Sequence, residues 1–287
     1  MKIRENMHVL LLKGGFGPER EVSLNSAKAC SKAIKENGFL VTEVDIAKMN
    51  LNNLISLKAD VCFNALHGNS GENGSIQGLL NLLKIPYTHS GVAASAISMN
   101  KIYFKRLVLN TTESTDDPII FPKTLQINEG EKLSIKNYKG LYVLKPKSGG
   151  SSVGVKIVKG QNSIPLKNEF KWKDLMAEEF VGSMELTVTV LKDKPLCVTE
   201  IKAAQNEEFY NYRAKYERNG STHDIPAKIP SHLYEQAMSW ALRAHKIVGC
   251  NGISRSDFRY DKINNQLYML EINTQPGMTE TVSYTHL

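Results

Sequence analysis

The hydrophobic positions change period along the chain, and each change marks an element. His8–Leu12 is an apolar run that predicts a strand, followed by a glycine turn at Gly14-Gly15 and a helical pattern over about Val22–Asn37. In that helix Ala27, Cys30, Ala33 and Ile34 share a face, and Gly38 is the stop. Leu40–Asp45 alternates as a second strand, and Ala59–Leu66 is a third, more apolar one. A helix over Ser75–Leu83 and a short strand near Tyr87 complete the first part of the chain. Strands alternating with helices predict a parallel α/β sheet, in which ligands gather beyond the carboxyl ends of the strands. Two loops occupy those ends, GGFGPEREVS after the first strand and HGNSGENGS after the third, and they bring Glu19 and His67 together. The first loop lacks GxGxxG, so a nicotinamide reading is weak.

Beyond residue 95 the pattern shifts. Lys101–Leu109 reads as a helix and Thr111–Pro118 as an exposed connection. Phe121–Ile127, Tyr142–Lys145, Leu175–Phe180, Leu186–Leu191 and Leu196–Ile201 read as strands, the last three antiparallel by their short connections. Leu233–Val248 is an amphipathic helix, with Leu233, Ala237, Trp240, Ala244 and Ile247 on one face and a stop at Gly249. Two strands follow, Gly252–Tyr260 and Gln266–Asn273, joined through a polar segment. A turn centred near Asn264 sets Asp257 opposite Glu271, where like charges repel across the ladder. Arg255 and Asn273 lie two residues away, on the same face. A cation turns that repulsion into a binding site: two carboxylates and an amide oxygen are hard donors suited to magnesium. A solvated hairpin is the competing reading, and Phe258, Met269, Leu270 and Ile272 argue for burial instead.

Three further segments carry candidate chemistry. KPKSGGSSVG, from Lys145 to Gly154, can wrap a phosphate with successive backbone N–H groups, with Lys145 at its base. It is not a Walker loop, since GK[ST] is absent, and a flexible hairpin tip is the alternative. Glu178 and Glu185 stand among apolar strand positions, where they either read an exocyclic amine or a ribose diol or face solvent. Phe209–Tyr216, FYNYRAKY, is a mobile lid or an ordinary loop.

Composition narrows the partners. A chain of 287 residues accommodates two or three domains with real cores. The net charge of +7 arises from 36 basic and 29 acidic residues spread along the sequence. Without a basic stripe, a nucleic-acid partner is not expected, whereas an anionic small molecule is. Four separated cysteines without CxxC read as reduced thiols in a cytoplasmic setting. No signal peptide opens the chain, and no apolar run approaches the roughly 18 residues of a membrane span. No internal repeat is visible.

Taken together, GGFGPEREVSL, LHGNSGENGSIQG, LKPKSGGSSVGV, EEFVGSMELTV, YNYRAKY and LEINTQPGMT resemble, in order, the motifs of D-alanine–D-alanine ligases of the ATP-grasp superfamily. The likeness covers residues 8 to about 281. It implies an α/β protein of ATP-grasp architecture: an N-terminal parallel domain (1–95), a central domain with a glycine-rich lid (96–180), and a C-terminal domain (181–287), the last two sandwiching ATP between antiparallel sheets. The implied reaction passes the γ-phosphate of ATP to one D-alanine, giving an acyl phosphate that the amine of a second D-alanine attacks, for peptidoglycan precursor synthesis.

By motif match, Lys101, Lys145 and Lys215 contact phosphates, with Ser151 and Ser152 in the lid. Glu178 and Val181 meet adenine, and Glu185 the ribose. Asp257, Glu271 and Asn273 hold two Mg2+ ions, for which Mn2+ can substitute. Glu19 pairs with the first D-alanine's ammonium and His67 lies near its carboxylate. Arg255 and the Gly277 N–H stabilise the oxyanion, while Tyr216 and Ser151 bond with Glu19 to close the lid. A tyrosine at position 216 goes with amine acceptors in this family. The resemblance also suggests a homodimer.

Two departures stand out: Asn73 replaces the usual acid in GEDG, and Val282 stands where the family has the serine of a Ser-Leu pair that binds the second substrate. The tail after Thr281 is therefore expected to be truncated or foreign, which admits an ATP·Mg-binding module without turnover. Another ATP-grasp carboxylate–amine ligase is the alternative enzyme.

Overall fold

The computed structural model describes residues 7–50, 54, 56–128, 132–135, 138–160, 164–165, 172–203 and 220–278. The first sheet is parallel, with β1 (His8–Lys13) between β2 (Leu40–Asp45) and β3 (Val61–Asn64). The helix α1 (Arg20–Glu36) crosses from β1 to β2 and begins slightly before the expected Val22. Leu10 and Leu12 pack with Val44, Leu66 and Leu80 on one side of the sheet, and Leu11 packs with Ala27, Cys30 and Ala65 on the other. Burial on both faces is why β1 reads as an unbroken apolar run. Next come α2 (Ser75–Leu82) and a single parallel bridge from Tyr87 to Cys62, the expected short strand.

Two helices follow, α3 (Val92–Met99) and α4 (Lys101–Thr112). The pattern of small residues in VAASAISM hides α3, and the expected boundary at residue 95 falls inside it. The Asn100 side chain accepts the N–H groups of Ile102 and Tyr103, capping α4 and separating it from α3. The segment expected to be an exposed connection is partly docked. Thr111 and Thr112 belong to α4, and Asp117 accepts hydrogen bonds from Gln236, Trp240 and Arg243.

The middle of the chain supplies β4 (Thr124–Leu125), β5 (Ile127–Asn128), β6 (Lys132–Ile135), β7 (Leu141–Pro146), β8 (Lys156–Lys159), β9 (Ile164–Pro165) and β10 (Leu175–Glu179). One antiparallel sheet has the order β4-β10-β7-β8, and a small one the order β5-β6-β9. Phe121 does not start a strand as expected; its ring packs edge-on against Phe104, 5.7 Å between centroids.

The last sheet has the order β13-β12-β11-β14-β15, built from β11 (Met184–Leu191), β12 (Lys194–Ala203), β13 (Ser221–Asp224), β14 (Ile253–Asp261) and β15 (Gln266–Asn273). Thus β10 and β11, read in sequence as neighbours, belong to different sheets. Lys192 and Asp193 turn β11 into β12 with φ of 48° and 61°, the doubly positive pair of a tight hairpin. The helix α5 (Ser231–Val248) lays Leu233, Ala237, Trp240 and Ala244 against Val188, Val198, Phe258 and Met269, forming the largest core. Among the described residues, no helix is long and apolar enough to cross a membrane.

Candidate active site

The hairpin β14–β15 sets Asp257 opposite Glu271 and Arg255 opposite Asn273. Along β14, Arg255, Asp257 and Arg259 alternate with buried Ser254, Ser256, Phe258 and Tyr260. The register shifts between Asp257 and Phe258, whose partners are Glu271 and Met269. This bulge lets both Leu270 and Glu271 line the same cleft, as bulges beside functional sites commonly re-aim side chains. Arg255 grips Asp257 with two hydrogen bonds of 2.8 Å, and Thr187 Oγ1 donates to Asp257 Oδ1 at 2.9 Å. Lys101 Nζ stands 3.1 Å from Glu271 Oε2 and donates to the Gly149 carbonyl at 2.7 Å.

Among the described residues there is no group of three or more His, Cys, Asp or Glu side chains that could hold a metal. The donors here are two opposed carboxylates and the Asn273 amide. That set fits an ion that takes its remaining ligands from water and phosphate, as magnesium does.

A cleft of about 150 Å³ lies between the middle and last sheets, and Lys101, Lys145, Ser152, Glu178, Val181, Glu185, Asp257 and Glu271 all line it. The sheets thus gather residues that the sequence spreads over 171 positions, from 101 to 271. Glu178, 4% exposed, is held by Lys145 Nζ at 2.6 Å and Lys105 Nζ at 2.8 Å. Lys105 also donates to Thr124 Oγ1 and the Pro122 carbonyl. Burial alone raises the Glu178 pKa, but the two ammonium groups outweigh it and leave it lowered. Lys105 escaped the sequence reading because a helical lysine is normally solvated. Its position one turn after Lys101 was the available signal.

Across the lid, Glu19 is buried between two glycines. A Cβ on Gly68 would lie 2.1 Å from Glu19 Oε2, and one on Gly150 2.9 Å from Oε1. Ser151 Oγ donates to Glu19 Oε1 at 2.5 Å. Ser151 and Ser152 adopt left-handed φ of 52° and 58°, a conformation that costs about 1–2 kcal/mol per residue outside glycine. His67 bonds Ser26 Oγ through Nε2 at 3.0 Å and Glu72 Oε1 through Nδ1 at 3.1 Å. Glu72 was not singled out in the sequence. It lines a smaller cavity of about 30 Å³ with Lys101, Gly149, Gly150, Glu271 and Asn273, so the two hollows share a wall.

Gly277 is buried in the segment after β15. There Gln275 and Asn64 bond one another, and Met278 N–H donates to Ser26 Oγ at 3.1 Å, carrying the last sheet's exit onto the first sheet. Lys215, Tyr216 and the tail from residue 279 lie outside the described residues.

Comparison with known proteins bears on these two hollows. The family description "D-ala D-ala ligase C-terminus" matches residues 126–287, and "D-ala D-ala ligase N-terminus" matches 51–90. A D-alanine--D-alanine ligase of Azorhizobium caulinodans is 45% identical, over 96% of this chain and 90% of its own. One from Parvibaculum lavamentivorans is 43% identical, over 96% and 89%. The crystal structure of the D-alanine--D-alanine ligase of Bacillus anthracis superposes with a TM-score of 0.75 at 26% identity, covering 98% of this chain and 90% of that one. The same enzyme complexed with ATP gives 0.76 at 24% identity, over 98% and 90%. The architecture is that of the ATP-grasp ligases. With the sequence match running nearly end to end, the chain belongs to the D-alanine–D-alanine ligase family.

Proposed function

We propose that the chain joins two D-alanine molecules into D-alanyl-D-alanine at the expense of ATP, supplying a peptidoglycan precursor in the cytoplasm. The observation that carries this reading is the shared wall: Lys101 and Glu271 line both the large cleft and the smaller cavity, so a phosphate in one meets a carboxylate in the other. ATP lies between the middle and last sheets, with its phosphates against Lys101 and Lys145 and beneath Ser151 and Ser152. Glu178 and Val181 face the adenine and Glu185 the ribose. Asp257, Glu271 and Asn273 would hold magnesium, or manganese in its place, and such an ion would supply positive charge against the phosphates.

The first D-alanine places its ammonium at Glu19 and its carboxylate near His67. That carboxylate takes the γ-phosphoryl group, giving an acyl phosphate and ADP; the second amine attacks the acyl carbon, and phosphate leaves. Phosphoryl transfer of this kind asks the protein for positioning and charge neutralisation. Arg255 and the Gly277 N–H meet the oxyanion as it develops. Ser151, bonded to Glu19, closes the glycine-rich loop over the site and excludes water from the acyl phosphate. Tyr216, expected to act with it, and Lys215, expected at the phosphates, lie outside the described residues. The three-domain division at 95 and 180, and a homodimer, belong to the same reading.

The test is a dipeptide assay on the purified chain. With ATP, Mg2+ and D-alanine, chromatography is expected to show D-alanyl-D-alanine and one phosphate per dipeptide. Glu271→Gln is expected to lose at least about a hundredfold in rate with unchanged circular dichroism, the scale of losing one electrostatic contact in phosphoryl transfer. ATP binding without any dipeptide, or turnover that ignores the configuration of alanine, overturns the reading.

A further inference from the structure

Arg259 is held at several points in the large cleft, and neither the sequence motifs nor the mechanism above uses it. It projects from β14 two residues after Asp257, on the same face of the strand. Its Nη1 donates to Glu185 Oε1 at 2.5 Å, its Nε to the Val181 carbonyl at 3.2 Å and its Nη2 to the Gly182 carbonyl at 3.0 Å. The guanidinium carbon also sits 4.9 Å from the centre of the Phe180 ring. One planar group therefore holds the whole crossing from the middle sheet to the last.

The crossing chain is pressed against β14. Gly182 has φ of +58°, and a Cβ there would lie 2.6 Å from the Tyr260 carbonyl. We infer that Arg259 is a positioning residue for the nucleotide: it aims the Glu185 carboxylate at the ribose and fixes the Val181 peptide beside the base, and so sets the preference for a ribonucleotide over a deoxyribonucleotide. The inference rests on the nucleotide reading of the cleft. Arginine suits the task because its donors diverge in one plane toward a carboxylate and two carbonyls, which a lysine ammonium cannot match. Its place on the strand that carries Asp257 ties the sugar end of the cleft to the phosphate end through one rigid element.

The experiment compares ATP with 2′-deoxy-ATP in the full chain, as kcat/KM, for wild type, Glu185→Gln, Arg259→Met, Arg259→Lys and the double variant Glu185→Gln with Arg259→Met. Arg259→Met is expected to shrink the ATP:dATP preference about tenfold, the scale of one charge-assisted hydrogen bond, and to raise KM for ATP while KM for D-alanine stays within about twofold. Arg259→Lys should recover little. In the double variant the two losses should not add, because they remove one interaction. A preference unchanged by Glu185→Gln overturns the ribose assignment itself. A preference that responds to Glu185→Gln but is untouched by Arg259→Met, with ATP and dATP falling in parallel, overturns the role of Arg259 and leaves the nucleotide cleft standing.

Discussion

Ser151 donates to Glu19 at 2.5 Å across 132 positions of sequence, joining the glycine-rich loop of the middle sheet to the helix entry of the first. Ser151→Ala removes one donor to the buried carboxylate. The expected result is about a tenfold loss in kcat/KM for D-alanine, with KM for ATP much less affected. Steady-state kinetics with each substrate varied in turn check the split.

Gly68→Ala acts on the same carboxylate from the other side. A methyl group there collides with Glu19 Oε2 and forces φ of +64° on a residue that resists it. The variant is expected to lose about 1–2 kcal/mol of stability from the backbone alone and to raise KM for D-alanine. Urea denaturation together with kinetics measures both effects.

Lys105→Met leaves Glu178 with Lys145 as its remaining ion-pair partner among those described. Removing one side of a buried charge contact costs about 3 kcal/mol, visible as a lower urea midpoint at pH 7. Lys145 should then be held more firmly by Glu178 and be less ready to meet a phosphate, so KM for ATP rises. Lys105→Arg, which keeps the charge, should restore more of the affinity than Lys105→Met.

Stability should fall with acid in two separable windows. Burial first, and then the nearby His67, hold the His89 imidazole near pKa 4 against an ordinary 6.5, while its bond to Thr88 works in the opposite direction. The unfolded chain binds the extra proton between those values, so stability rises with pH from about 4 to 6.5 by up to about 1.4 kcal/mol per unit. His89→Asn, which tolerates the residue's φ of +75°, should flatten that slope. The Arg20 guanidinium, with the Ala47 N–H, outweighs burial and lowers Asp45 to about 2 from 3.8. Its contribution is present above 3.8 and lost as pH falls through about 2, so Asp45→Asn should converge with wild type only at the acid end. Denaturation at a series of pH values separates the two.

The last hairpin is legible in sequence because its alternation is strict and its turn polar, which places Asp257 opposite Glu271 in the observed register. What the alternation hides is the bulge at Leu270, a departure from period two. The helix α3 escapes for the opposite reason: Ala94, Ser95 and Ser98 pack by being small, and small residues leave little amphipathic signal. Lys105 and Glu72 are invisible one residue at a time, since their roles come from partners 73 and 5 positions away that only tertiary packing brings near. The grouping of β10 with β7 rather than β11 follows the same rule. Gly182 turns the chain between sheets, and nothing in the local pattern of EEFVGSME announces a change of layer.

The mutual grip of Asn64 and Gln275, with Met278 bonded to Ser26 beside it, has a mechanical consequence. These bonds pin the chain leaving β15 to the carboxyl edge of the first sheet, so the outer two sheets form a single chassis. The middle sheet reaches that chassis through side-chain latches such as Ser151 on Glu19 and Lys101 on Gly149, and through the crossing at Gly182.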